Sequence, residues 1–180
     1  MKLTSKEIAF AGALAAFSAV TQLIHVGYRF PQWGMWLDIV AVSWLAAFFL
    51  FGRKLAFLVS LLGAIIITLF APETWLGASM KWIATLPLWV ILSFKQPQTY
   101  RQPIKLILPA VLALIVRIIL ILPLNYFYAI PIWTKMPPAV AFRVIPWYVI
   151  AGFNLIQGLI DIIFAWLLVF KFRLSLYARY

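Results

Sequence analysis

The sequence predicts an all-α membrane protein: a bundle of six transmembrane helices with both termini on the cytoplasmic side of the cell membrane. Three observations carry this. The first is composition. Of 180 residues, 66% are hydrophobic and only 11% are charged, and the mean hydropathy is +1.05. A soluble domain is nearer half apolar, so too little polar surface remains to cover a globule in water. The second is length. A bilayer core of about 30 Å takes about 20 residues of helix, and about 119 apolar residues leave room for about six spans. The third is the placement of the basic residues, taken up below. Together these exclude a cytosolic enzyme, a nucleic-acid-binding domain and a disordered chain.

The first span, approximately 6–26, follows Lys2 and Lys6. Its apolar run is long and shows no convincing cleavage site, so it reads as a retained span and not a removable signal. Gly27, Arg29, Phe30 and Pro31 end it. The second span, approximately 35–51, closes at Gly52-Arg53-Lys54. That turn is so short that the second and third spans form an antiparallel hairpin. The third, approximately 54–71, ends at Ala71-Pro72-Glu73, and the fourth covers approximately 76–94. Lys95 to Pro103 is polar and proline-bearing, and separates it from the fifth, approximately 104–127. Ile130 to Pro146 holds Pro131, Pro137, Pro138 and Pro146, so it cannot be one continuous helix. The sixth span is approximately 147–170. The runs do not alternate with period two, which argues against a β-barrel. No repeat of 20–50 residues is visible, so residues 1–180 form a single integral membrane domain.

With six spans the termini share a side. That side holds ten basic residues: Lys2, Lys6, Arg53, Lys54, Lys95, Arg101, Lys105, Lys171, Arg173 and Arg179. The other side holds four, Arg29, Lys81, Lys135 and Arg143, and Arg117 falls inside the fifth span. The asymmetry follows the positive-inside rule, and five or seven spans would spoil it. Much of the net charge of +11 therefore reports topology and contact with the lipid bilayer. No basic groove with exposed aromatics points to nucleic acid.

Few residues are left to carry chemistry. There is no cysteine, and His25 is the single histidine, so neither a metal site nor a catalytic triad has residues to assemble from. No phosphate-binding glycine loop is present. The chain reads as no enzyme, and ATP-driven transport would need another subunit for hydrolysis. Inside the spans, Arg117 lies about 20 Å deep and Asp161 about 14 Å deep. They form either a proton or ion relay or a buried structural ion pair, and the pair is the simpler reading. In the first span Ala11, Ala15 and Ala19, with Gly12 and Ala16, recur every four residues. Such small residues let another helix approach closely, either within this bundle or on a partner subunit.

Other polar residues gather toward the outer half: Asp38, Lys81, Thr85, Asn125, Tyr126, Asn154 and Gln157. Asn154 and Gln157 are three apart and share a helix face. Amides offer donors and acceptors without charge, which suits a planar, neutral heterocycle. Trp33, Trp36, Trp75, Trp82, Trp133, Trp147, Tyr126, Tyr128 and Tyr148 lie on the same side. Most belong to an interfacial belt. A few, with Trp36 and Tyr128 foremost, are expected against a ring-shaped ligand.

Specific strings carry a resemblance. Phe153-Asn154-Leu155-Ile156-Gln157-Gly158 resembles the Phe-Asn-Leu-Ile-Lys-Gly run of the riboflavin-specific S components of energy-coupling factor (ECF) transporters. Asn125-Tyr126-Phe127-Tyr128-Ala129-Ile130-Pro131 is similar to that family's Asn-Tyr stretch. Lys81-Trp82-Ile83-Ala84-Thr85 resembles its Lys-aromatic-x-Ala-Thr segment. Gln157 stands where the family has lysine, and Leu37-Asp38-Ile39-Val40 does not reproduce the family's longer acidic run. The resemblance implies a membrane-embedded vitamin-binding subunit whose pocket lies near the outer face, capped by the loop after the first helix. It implies ligand contacts from Asn125, Asn154, Gln157, Lys81, Trp36, Tyr128 and Asp38, and docking through Ala11, Ala15 and Ala19. The implied partners are a transmembrane coupling subunit and two cytoplasmic ATPase subunits. The implied ligand is riboflavin or a related flavin, with no resident cofactor. The alternatives are another small heterocyclic vitamin or a stand-alone ion-coupled carrier.

Overall fold

The computed structural model describes residues 4–30, 35–71 and 74–178. Lys2, Trp33, Arg179 and the breaks at Pro31 and Pro72-Glu73 lie outside the described residues. α1 (Ser5–Leu23) begins in a capping box: Thr4 Oγ1 accepts from the Glu7 N–H at 3.2 Å, and the Glu7 carboxylate accepts from the Thr4 N–H at 2.8 Å, satisfying two donors at the helix start. The chain then forms a short antiparallel ribbon, β1 (Gly27–Arg29) with β2 (Trp36–Asp38), in which Gly27 faces Asp38 and Arg29 faces Trp36. A side chain at position 27 would run into the Leu37 carbonyl.

The second predicted span is thereby corrected. Its first residues belong to β2, and the helix starts only at α2 (Val40–Phe51). Asp38 is the reason: its Oδ1 accepts from the Val40 N–H at 2.9 Å and opens the helix there. Every residue from Val40 to Phe49 is buried, as expected of a helix that is apolar all round and sits at a bundle centre. α1, α3, α4 and α8 pack around it. Gly52, with φ +85°, is the single residue joining α2 to α3 (Arg53–Phe70). Only glycine adopts that backbone freely.

α4 (Trp75–Leu92) leads through a 3₁₀ turn at Pro97–Arg101 into α5 (Ile104–Leu124). The helix does not stop near residue 127. It passes through a π turn at Asn125–Ala129 into α6 (Ile130–Thr134), 31 helical residues in all. Pro131 falls in the first turn after the wide π segment, where proline is tolerated. The remaining prolines break the chain into α7 (Pro138–Val144) and α8 (Trp147–Trp166), which a π turn extends to Lys171 before α9 (Leu174–Ala178).

Among the described residues four helices are long and apolar enough to cross a bilayer: Arg53–Phe70, Trp75–Leu92, Ile104–Thr134 and Trp147–Lys171. α1 and α2, the other two of the six expected spans, are not among them. The 12 residues of α2 extend about 18 Å, less than a bilayer core. The outer surface is apolar: Leu69, Phe70, Ile104, Leu108, Ile119 and Phe127 are each more than 60% exposed, a surface suited to lipid and not to water.

At one end of the bundle the core packs around Tyr100. Tyr100, fully buried, donates its hydroxyl to the Leu92 carbonyl at 2.7 Å and accepts on its own carbonyl from Trp166 Nε1 at 2.7 Å. Burial pushes the Tyr100 phenol up, so it stays a donor.

The small residues of α1 face inward. Ala11, Ala15 and Ala19 are 8%, 1% and 4% exposed and pack in one cluster with α2 and α3. This corrects their expected role in docking: they are interior residues that let α1 approach its own neighbours. Ala9, Gly12, Ala13 and Ala16 are the exposed small residues of α1. Opposite the buried face sits Gly63, where a Cβ would lie 2.5 Å from Ser18 Oγ and 2.7 Å from Trp44 Nε1. Gly63→Val is therefore expected to destabilise the fold by about 1–3 kcal/mol. Gly12, with nothing within 4 Å of an added Cβ, is expected to tolerate Gly12→Ala and to gain up to about 1 kcal/mol of helix propensity. Denaturant unfolding of the detergent-solubilised protein checks both; equal effects would contradict the close α1–α3 approach.

Candidate ligand-binding site

At the opposite end from Tyr100, α1 and α5 finish while α4 and α8 begin. There the end of α1, β2, the starts of α4 and α8, the end of α5 and α6 enclose a cavity of about 470 Å³, within the size range of small-molecule pockets. Its walls carry Trp36, Trp75, Met80, Ile121, Trp133 and Phe153. Room is left by small residues, Gly77, Ala78 and Ala84 on α4 and Ala129 after α5. Polar side chains line it as well: Gln22, His25, Asp38, Thr74, Lys81, Arg117, Asn125, Asn154 and Gln157.

The polar face of α8 is set by helical spacing. Asn154, Gln157, Gly158 and Asp161 recur at three- and four-residue intervals and are all buried. Gln157 does the most tying. Its Oε1 accepts from the Asp38 backbone N–H at 3.0 Å, and its Nε2 donates to the Asp38 carbonyl at 2.8 Å and to Asp161 Oδ1 at 2.8 Å. Both of its N–H donors are thus engaged. The Asp38 carboxylate caps α2 with one oxygen and pairs with the Lys81 ammonium through the other. On the far side of Gln157, Arg117 NH1 lies 3.3 Å from Asp161 Oδ2, with side chains 3% and 0% exposed. Arg117 NH2 reaches Asn154 Oδ1 at 3.4 Å, and Asn154 Nδ2 donates to the Ile150 carbonyl at 3.0 Å. Asn125 Nδ2 donates to the Ile121 carbonyl of its own helix at 2.9 Å. A continuous chain therefore runs from Lys81 through Asp38, Gln157 and Asp161 to Arg117 and Asn154.

The structure brings Asn125, Asn154, Gln157, Lys81, Trp36 and Asp38 to the wall of this one cavity. Tyr128 is not on it. That ring packs edge-on against Trp75 with centroids 6.5 Å apart, while Tyr126, two residues earlier, turns inward and donates to the Ile145 carbonyl at 2.6 Å. Gln157, expected to contact a ligand, has its donors engaged by Asp38 and Asp161, so it positions the wall. Sequence reasoning set Arg117 apart as structural, yet it lines the cavity, as do Gln22 and His25. It also missed the pairing of Lys81 with Asp38. The signal was available: the chain has four acids, Glu7 and Glu73 fall at segment ends, and a lysine inside the fourth segment needs a compensating charge.

No protein-family model and no curated protein matches the chain. Among solved structures it is similar to the S component of a bacterial ECF transporter, with 24% sequence identity, a TM-score of 0.71, and coverage of 97% of this chain and 98% of that chain. The likeness is one of fold over nearly the full length.

Two outcomes follow from the polar chain. Arg117→Met leaves Asp161 buried without its base and is expected to cost about 3–5 kcal/mol. Arg117→Met/Asp161→Asn removes both charges, keeps an acceptor for Gln157, and is expected to recover most of that loss. Unfolding measurements on the single and double variants check the sign of the coupling. Separately, Gln157→Met removes the acceptor of the Asp38 N–H. Hydrogen exchange at Asp38 is then expected to accelerate; an unchanged rate would show that β2 is held to α8 by something else.

Proposed function

We propose that the chain is the substrate-binding subunit of an ECF-type vitamin importer and that its ligand is riboflavin or a related flavin. The observation that carries the reading is the cavity: aromatic walls and a set of amide and charged side chains at one end of a bundle that has the fold of an S component. Flat aromatic surface suits a conjugated ring system. Amide and charged donors around it suit the ring's carbonyl and aza positions.

In this reading the chain crosses the membrane six times, with α2 as a short central span and both termini cytoplasmic. The cavity end faces outward, in keeping with the excess of basic residues toward the other end. The exposed small residues of α1, Ala9, Gly12, Ala13 and Ala16, offer the smooth face on which a transmembrane coupling subunit would dock. Two cytoplasmic ATPase subunits would supply hydrolysis. A second reading, an S component for another flat heterocycle, draws on Gln157, which stands where the riboflavin-specific proteins it resembles have lysine.

Riboflavin titration of the purified protein, followed by quenching of flavin fluorescence, tests the proposal. Binding in the micromolar range or tighter is expected, and the protein should carry visible absorbance if ligand persists through purification. Asn154→Ala is expected to weaken binding about 10-fold or more. No binding at micromolar concentration overturns the flavin assignment, and wild-type affinity in Asn154→Ala overturns the site.

A further inference from the structure

Among the described residues, Arg117 is the charged side chain with a buried polar atom that has no partner. A guanidinium has five N–H donors and no acceptor. Arg117 is 3% exposed, and only two of its nitrogens have partners, at 3.3 Å to Asp161 and 3.4 Å to Asn154. Both contacts are long for N–H···O bonds. Its Nε is buried with no partner at all. Buried donors are almost always satisfied, and an orphan is costly. The same side chain lines the cavity, so an acceptor held there is beside a guanidinium whose terminal nitrogens have only these two long contacts.

The approach to α8 is built for it. Position 158 is glycine, and a Cβ there would collide with Leu114 and sit 3.5 Å from Arg117 Cδ and NH1. The clash is with Leu114, and the contact with Arg117 is an ordinary one, so glycine lets α5 approach α8 closely enough for Arg117 to reach Asn154 and Asp161. The charge balance then selects the chemistry of the acceptor. Lys81 is paired with Asp38 and Arg117 with Asp161, so the enclosure is already neutral. An anionic ligand would place an uncompensated charge in it, which is costly in a low-dielectric site. An uncharged acceptor would not.

We infer that Arg117 is a ligand-recognising residue. Its guanidinium donates to an uncharged ring carbonyl or ring nitrogen of a conjugated heterocycle, with Asn154 and Asp161 holding the guanidinium in position. The inference rests on the reading of the cavity as a substrate site and narrows it to a neutral, acceptor-edged ring. It assigns Arg117 a function that an ion pair alone would not have.

The test uses full-length protein in lipid nanodiscs, with riboflavin, lumazine and flavin mononucleotide as probes. In Arg117→Met/Asp161→Asn, shown to be folded by its unfolding transition, riboflavin affinity is expected to fall about 10- to 100-fold. In the wild type, the arginine Nε–H resonance assigned to Arg117 by its absence in that variant is expected to shift when riboflavin is added. Wild-type affinity in the double variant, or an unmoved resonance at saturation, reduces Arg117 to a structural partner and overturns the inference while leaving the flavin assignment standing. Flavin mononucleotide binding more than tenfold tighter than riboflavin overturns the neutral-acceptor chemistry. Lumazine binding that depends on Arg117, with riboflavin not bound, overturns the flavin assignment and supports the inference. Failure of both uncharged probes overturns both.

Discussion

Two acids and two bases, three of them buried and Lys81 partly so, meet inside a largely apolar bundle, and their mutual neutrality is the constraint on which the rest of this structure depends. Asp38, Lys81, Arg117 and Asp161 come from β2, α4, α5 and α8. Left alone, any one of them would cost several kcal/mol in such surroundings. Paired, they require those four elements to meet at fixed distances. Gln157 makes the two pairs one object, because its amide contacts the backbone of Asp38 and the carboxylate of Asp161 at once. The cavity is the volume that these constrained elements leave between them.

Side-chain size distinguishes the cavity from the packed core beside Tyr100. Away from the cavity, Phe48, Leu88, Leu92 and Tyr100 are completely or almost completely buried and fill the space between α2, α4 and α5. Toward the cavity, α4 presents Gly77, Ala78 and Ala84. The central helix also begins late, at Val40, because Asp38 holds the preceding residues in the ribbon. A short central helix and small residues on its neighbour leave room that large apolar residues would have closed.

Much of this was legible in the sequence. The apolar runs and their breaks place α3, α4, α5 and α8 within a few residues, since Gly52 and the prolines between residues 130 and 146 are local signals with local effects. The three-residue spacing of Asn154 and Gln157 placed both on one face. What could not be read was non-local. Gln157 finds its partner at Asp38, 119 residues away, and no spacing rule reaches that far. The ribbon was hidden because Trp36 to Asp38 continue an apolar run, and only pairing with Gly27 to Arg29 makes them a strand. Periodicity showed the alanines of α1 but not which face turns inward. Nor did periodicity show that Tyr126, and not Tyr128, turns inward, because both lie in the π turn at Asn125–Ala129, which departs from the α-helical period.

A cavity whose formal charges are already cancelled discriminates by geometry and not by field. Its wall, however, is not independent of the pairs that cancel them. β2 contributes Trp36 and Asp38 to the wall and is held to α8 through the same Gln157 amide that touches Asp161. A shift of β2 therefore disturbs the environment of Asp161, and through Asp161 the guanidinium beside Asn154. The cavity wall and the charge pairs share these atoms. Substitutions within the chain from Lys81 to Asn154 accordingly act on both together and combine non-additively, whereas substitutions in the core cluster around Tyr100 change stability without altering the hydrogen-bonding groups of the cavity that Arg117 lines. The buried polar residues are retained in so apolar a chain because they do two things at once: they register four elements against one another, and they leave a small number of donors facing the space between them.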